Sequence, residues 1–217
     1  MKSYFKFSTK IILVFLFLVN FHWESYAQDY YGSTYTYKPV SLGITFAPNM
    51  SWHRYGTGVD IEKKWEIGYG YGLLADFGLS ENYYLATGFL INNIKSTVDV
   101  GPDQLSTTYK TQYVEVPFGV KLKSTQRYYR SYYGQFGFTG GVKIAGDKEV
   151  EDMGREEFDA KTFRLGLAIG GGIEWQLDHK LSMVTGLTFN NGFTEILDDG
   201  YGKPKDSYLA FNFAIFF

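Results

Sequence analysis

The chain of 217 residues has no cysteine and only 5 prolines, and past residue 27 no apolar run approaches twenty residues. Each absence excludes something. Without cysteine there is no disulfide framework, thiolate metal site or thiol nucleophile, and no thiol to acylate as a lipoprotein anchor. Without a long apolar run, no transmembrane helix follows the first segment. Excess charge of one sign is also missing, with 21 basic against 23 acidic side chains. A nucleic-acid partner is therefore not expected, since such domains carry a basic face that neutralises phosphates. What is abundant is 19 Tyr, 19 Phe and 25 Gly, a composition far too aromatic for a disordered polymer. The length suits one domain.

Residues 1–27 carry Lys2, Lys6 and Lys10, an apolar stretch from Ile11 to Val19, and the small residues Ser25 and Ala27. This pattern predicts a secretory signal peptide cut after Ala27. A spanning helix is excluded, because the stretch is too short for a hydrocarbon core of about 30 Å. Removal of three lysines and Glu24 leaves 18 basic and 22 acidic residues, a mildly acidic exported chain. Residues 28–39 read as a periplasmic tail, and residues 40–217 as the folded domain.

That domain alternates with period two. From Ser41 to Trp52 the even positions are Leu42, Ile44, Phe46, Met50 and Trp52, against Ser41, Gly43, Thr45, Ala47, Asn49 and Ser51. Glu66–Leu79 shows the same split, with Gly68, Gly70 and Gly72 on the small face. Tyr83–Ile94, Thr111–Lys123, Ser131–Ala145, Lys161–Gln176, Leu181–Asn190 and Ser207–Phe217 complete eight expected strands. Alternation alone also fits a soluble sandwich or ligand-binding barrel. The small face decides between them. Soluble strands show Lys, Glu, Thr or Arg to water, whereas here that face is Gly, Ala, Ser and Thr with isolated charges. Small residues belong inside a narrow cylinder, so the apolar face looks outward into lipid.

Connection lengths agree. Tight links at Ser80–Asn82 and Asp178–Lys180 and a moderate one at Ser124–Arg130 alternate with long ones at His53–Trp65, Ser96–Lys110, Gly146–Ala160 and Asn191–Asp206. Short periplasmic turns and long outer loops mark an eight-stranded antiparallel up-and-down transmembrane β-barrel of the outer-membrane type, with both termini in the periplasm. Trp52, Trp65, Trp175, Tyr83 and Tyr132 lie near strand ends, as interfacial aromatics do. Pro48 and Pro117 remove ladder donors, and a bulge or local kink is expected at each.

The run Tyr113-Val-Glu-Val-Pro-Phe-Gly-Val-Lys121 resembles a strand of the PorT-like family of outer-membrane β-barrel proteins of Gram-negative bacteria. The Gly-rich Leu167–Gly172 segment and the terminal Phe217 are similar to that family too. The resemblance implies an eight-stranded outer-membrane barrel. It further implies that Phe217 serves as an insertion signal for the barrel-insertion machinery, and that the role includes assistance to protein secretion in one namesake.

Chemistry is sparse. The inward phase carries Glu66, Asp76, Glu115, Lys121, Lys143, Arg164 and Glu174. Glu66, Lys143 and Arg164 fall towards the outer end, Asp76, Lys121 and Glu174 towards the periplasmic end, and Glu115 lies deeper. Mixed signs favour a plug of salt bridges over a gate or proton path, because eight strands leave little lumen. His53 and His179 fall at opposite ends, so neither a metal site nor a dyad between them is expected. The acidic stretch Asp147–Asp159 lacks the spacing of a calcium loop, and Gly170–Gly172 lies in a strand, not ahead of a helix as a phosphate cradle would. No cofactor is expected. The sequence therefore reads as a non-enzymatic outer-membrane barrel whose partners are membrane lipid, the insertion machinery and a secretion-system or envelope protein. The alternative is a small lipid-modifying or proteolytic enzyme using His53 near the extracellular rim. Spin labels provide the test of orientation. Labels at Leu73 and Leu167 should report hydrocarbon and labels at Gly70 and Ala168 should not, and the opposite result inverts the whole assignment.

Overall fold

The computed structural model describes residues 39–54, 62–100, 105–150, 154–157, 161–195 and 203–217. The signal peptide and most of the tail expected at residues 28–39 lie outside the described residues. The strands are β1 (Val40–Arg54), β2 (Glu62–Gly78), β3 (Tyr83–Val100), β4 (Leu105–Lys123), β5 (Arg130–Val150), β6 (Gly154–Glu157), β7 (Phe163–Gln176), β8 (Ser182–Gly192) and β9 (Lys205–Phe216). All pairings are antiparallel, each strand against its chain neighbour apart from two. β9 returns to β1, and β7 pairs with β5 past the short β6. Eight strands thus close a barrel, with β6 a four-residue flap folded back on the end of β5. Closure satisfies the backbone donors and acceptors without water.

Burial is inverted relative to a water-soluble domain. Leu73 is 59% exposed, Phe89 66% and Phe138 54%, while Glu115 is 0% and Arg164 1% exposed. The apolar phase of each strand faces out and the small or charged phase faces in. Glycine lets adjacent walls approach. Gly119 and Gly137 face each other across β4 and β5, and a Cβ on Gly137 would lie 2.3 Å from the Phe118 carbonyl oxygen. At the link between β4 and β5, Tyr128 and Tyr129 both take positive φ, 48° and 61°. Arg127 N–H donates to the Arg130 carbonyl at 2.9 Å and the reverse bond is 3.1 Å. This is a two-residue turn whose handedness matches the twist of a hairpin, made here with tyrosine where glycine or asparagine is usual.

Three expectations need correction. The stretches Ser96–Lys110 and Gly146–Ala160 are largely strand, because β3, β4 and β5 run on for 18, 19 and 21 residues. About ten residues suffice to cross a bilayer as a tilted strand, so this side of the barrel rises well past the apolar band, as paired sheet. His53 likewise belongs to β1 and not to a loop. At the prolines no bulge forms, as the register shifts lie at Trp65/Tyr69 and Gln112/Tyr113. At Pro48 the β1–β9 ladder skips from Phe46 to Asn49, and at Pro117 the β3–β4 ladder skips from Thr87 to Leu90, each in unchanged register. A strand residue directs its N–H to one neighbour only, so the missing donor interrupts one ladder and leaves the other intact. The Thr87 hydroxyl donates to the Pro117 carbonyl at 2.8 Å, a side-chain link across that gap.

Gly137→Val should lower the folding free energy in detergent micelles by about 1–3 kcal/mol, read as a lower urea midpoint, whereas Phe138→Leu on the outer face should shift it little.

Candidate functional site: two charge layers inside the barrel

The inward phase brings its charges together in two layers. The first centres on Arg164 of β7, which is 1% exposed. Its Nε donates to Asp206 at 3.0 and 2.8 Å, its Nη1 to Glu115 at 3.0 Å and its Nη2 to Asn190 at 2.7 Å. The second oxygen of Glu115 accepts from Tyr208 Oη at 2.9 Å and from Asn92 Nδ2 at 3.1 Å. Asn190 passes the chain on to Thr139 at 2.9 Å, and Asn49 donates to Asn92 at 2.9 Å. The layer therefore ties together residues of β1, β3, β4, β5, β7, β8 and β9. The planar guanidinium suits this role, since its fork of fixed donors serves several acceptors at once. It also lies over the Tyr208 ring at 5.2 Å.

The second layer lies towards the short turns. Lys121 Nζ is 2.5 Å from Asp76, and Lys123 Nζ is 2.7 Å from Glu174 and 3.9 Å from Asp76. Ser182 donates to the other Glu174 oxygen at 3.0 Å. Aromatic rings close the remaining directions, with Lys121 over Phe216 at 4.9 Å and Tyr133 at 5.3 Å, and Lys123 over Tyr84 at 4.2 Å. Cations over aromatic faces gain electrostatically where water is scarce.

The seven inward charges thus fall out as follows. Asp76, Lys121 and Glu174 share the second layer, and Glu115 and Arg164 form the heart of the first. Glu66 accepts from the Thr97 hydroxyl at 2.8 Å, which in turn shares a 2.8 Å bond with Thr108. Lys143 is half-buried opposite Tyr113 across β4 and β5. Sequence reasoning missed Asp206, Lys123, Asn92, Asn190 and Tyr208. For Asp206 a signal existed, because it continues the inward phase of Tyr208 and Ala210 one step further.

His53 is 2% exposed, and its backbone N–H donates to the Ser96 hydroxyl oxygen at 3.1 Å. Its ring lies 5.7 Å from that of Tyr109. It is buried in the inward phase of β1, one residue before the end of that strand. Phe217 follows β9 and donates its N–H to the Leu42 carbonyl at 2.8 Å, with its ring exposed. Outside the barrel wall, Glu195 is 2.5 Å from Lys161 and 3.6 Å from Lys203. The hydrogen bond from Lys161 holds its carboxyl below the usual carboxylate range. Among the described residues no group of three or more His, Asp or Glu side chains is arranged to hold a metal, and most side chains of the acidic stretch Asp147–Asp159 lie outside them.

Residues 26–198 match the family model described as outer membrane protein beta-barrel domain. Among curated proteins none matches the sequence. Among solved structures, Neisserial surface protein A is similar with a TM-score of 0.50 at 9% identity, over 82% of this chain and 96% of that one. OprG from Pseudomonas aeruginosa gives 0.46 at 11% identity, over 82% and 94%. Ail, the attachment invasion locus protein of Yersinia pestis, gives 0.44 at 14% identity, over 83% and 100%. At 9% identity the likeness to Neisserial surface protein A is one of fold.

Removal of one partner from a buried ion pair costs about 3–5 kcal/mol, because the other charge is left uncompensated. Arg164→Met strands both Glu115 and Asp206 and should lower stability by about that amount in urea titration. Glu115→Gln keeps its acceptor and leaves Arg164 paired with Asp206, so its loss should be clearly smaller; equal losses would show that Arg164 is not the hub.

Proposed function

The chain belongs to the outer membrane protein beta-barrel domain family, and from that premise we propose that it is a non-enzymatic integral barrel that works by protein interaction outside the membrane. Its export would follow cleavage after Ala27, and Phe217 would be read by the insertion machinery. One version of this role is a secretion accessory of the PorT-like kind; another is organisation of the envelope.

The observation that carries the reading is the unequal height of the wall. β3, β4 and β5 have 18, 19 and 21 residues, against 11 and 12 for β8 and β9. At about 3.3 Å per residue and a tilt near 40°, a 19-residue strand rises roughly 48 Å, and the apolar band of such barrels is about 25 Å tall. Roughly 20 Å of paired sheet is left to stand outside lipid. Ordered sheet of that extent, with the flap β6 at its edge, is a rigid platform for a partner, and an added strand is one common way to use such an edge. The two charge layers support the same reading from inside, since they fill the bore that a transporter would keep open. His53 gives the enzymatic alternative little support, being 2% exposed with its ring against Tyr109.

Affinity purification from gently solubilised outer membrane should recover a stoichiometric envelope protein with the intact chain. A variant with residues 145–160 replaced by a tight turn between Ile144 and Lys161, the next pair after Lys143 and Thr162, should fold and lose it. Retention of the same partner by that variant would place the contact elsewhere.

A further inference from the structure

The rim of the barrel is uneven, and its low side carries charge on the face that meets lipid. β8 and β9 have 11 and 12 residues, a rise of roughly 28–30 Å at the same tilt, against an apolar band of about 25 Å. Their outer ends therefore stop at the level of the headgroups. Trp52 of β1 and Phe189 of β8 stack there with ring centroids 6.1 Å apart, as aromatics do at a membrane interface. Arg54 stands two residues past Trp52 in the same outward phase, about 7 Å further along the strand. That is where lipid phosphates lie.

Cations gather on this part of the rim. In the β1–β9 ladder Arg54 lies directly opposite Lys205, and like charges in that position repel. Arg54 Nη2 donates to the Gly192 carbonyl at 2.9 Å, so its side chain reaches from β1 past β9 to the end of β8. Lys205 lines an open cleft with Lys161, Phe163, Phe193, Thr194 and Glu195. Glu195 is already shared by Lys161 at 2.5 Å and Lys203 at 3.6 Å. Among the described residues the Lys205 ammonium has no ion-pair or hydrogen-bond partner. Beside these cations Phe163 and Phe193 are both exposed. Surplus positive charge next to exposed rings is the complement of a lipid phosphate and the apolar chains beneath it.

We propose that the low side of the rim is a binding site for the phosphate of an outer-leaflet glycolipid, held between Arg54 and Lys205 and completed by Lys161 and Lys203, with the apolar part of the lipid against Phe163 and Phe193. A phosphate set between the opposed cations turns their repulsion into two attractions. The guanidinium offers it a planar fork and the ammonium a point charge. The proposal rests on the barrel spanning the outer membrane. It goes beyond the protein platform, since β8 and β9 lie across the ring from β3 and β4.

Purified full-length protein in micelles would be titrated with lipid A carrying its phosphates, with lipid A stripped of them, and with inorganic phosphate. Bound lipid is counted by native mass spectrometry, and stability is read as a urea midpoint. We expect phosphorylated lipid A to bind about tenfold more tightly than the stripped form, and Lys205→Gln to lose about tenfold in affinity for it. Lys180→Gln, in the turn at the opposite end, should lose nothing. Stability supplies a readout that changes sign. Without lipid, K205Q should match or exceed the parent, because a repelled charge is gone. With phosphorylated lipid A it should fall below the parent, which gains more from the ligand. Equal destabilisation of K205Q in both conditions would show a merely structural lysine, and equal binding of stripped lipid A would remove the phosphate from the site; either result overturns the proposal. Displacement of lipid A by equimolar inorganic phosphate would overturn the lipid as the phosphate's source. Where K205Q fails to fold, Lys203→Gln, whose side chain is 60% exposed, is read for binding with the same expected loss.

Discussion

An eight-stranded cylinder has almost no room along its axis, and every inward side chain must therefore be small or be answered by another inward side chain. Arg164 shows how strict this is. A guanidinium almost wholly removed from water is tolerable only because carboxylates, an amide and a ring from other strands meet it on its several sides. Those partners come from walls that share no ladder with β7, except for Asn190 on the adjacent β8. The interaction thus works as an internal brace across the bore, where an ordinary domain would have a hydrophobic core. Apolar burial is left to the membrane.

The same constraint explains what was legible in the sequence. Period two with Gly, Ala and Thr in one phase reveals both the strands and the direction each face looks, since lipid selects one phase and the narrow bore the other. It fails where lipid ends. Between Ser96 and Lys110 the inward Ser96, Val98, Thr107 and Tyr109 are still buried, but the outward phase turns polar, the chemical contrast between phases fades, and the stretch reads as loop although β3 runs to Val100 and β4 starts at Leu105. Asp206 was lost for that reason, as its position seemed to lie in a connection. The identity of each charge's partner was not legible either, because Glu115 and Arg164 are 49 positions apart and their meeting depends on how the wall curves. The prolines show a third kind of gap. Sequence identifies a missing donor but does not tell which of two neighbouring ladders it belonged to.

Membership of an outer-membrane barrel family fixes the setting, while function has to be sought in what departs from a plain cylinder. Two departures stand out. One is external, the tall side built by β3, β4 and β5 with the flap β6. The other is internal, the spacing of charge into two separate layers with uncharged residues such as Leu74, Leu90, Ala168 and Ala210 between them. Neither follows from the need to fold in lipid. The first presents an ordered surface to the aqueous side, and the second partitions the interior.

The seam between β1 and β9 carries a consequence for biogenesis. The Thr45 hydroxyl bonds the Phe213 carbonyl across a sequence separation of 168 residues, and the Phe217 N–H meets the Leu42 carbonyl nearby. Contacts of such long range form late and slowly. Until β9 arrives, the first strand presents a bare row of donors and acceptors, the kind of surface that recruits stray chains. A cylinder joined end to end in this way cannot be assembled piecemeal as it emerges. Its opening strand keeps one unpaired edge until the closing one is available, so the exposure that assembly has to manage is concentrated where the ring is fastened.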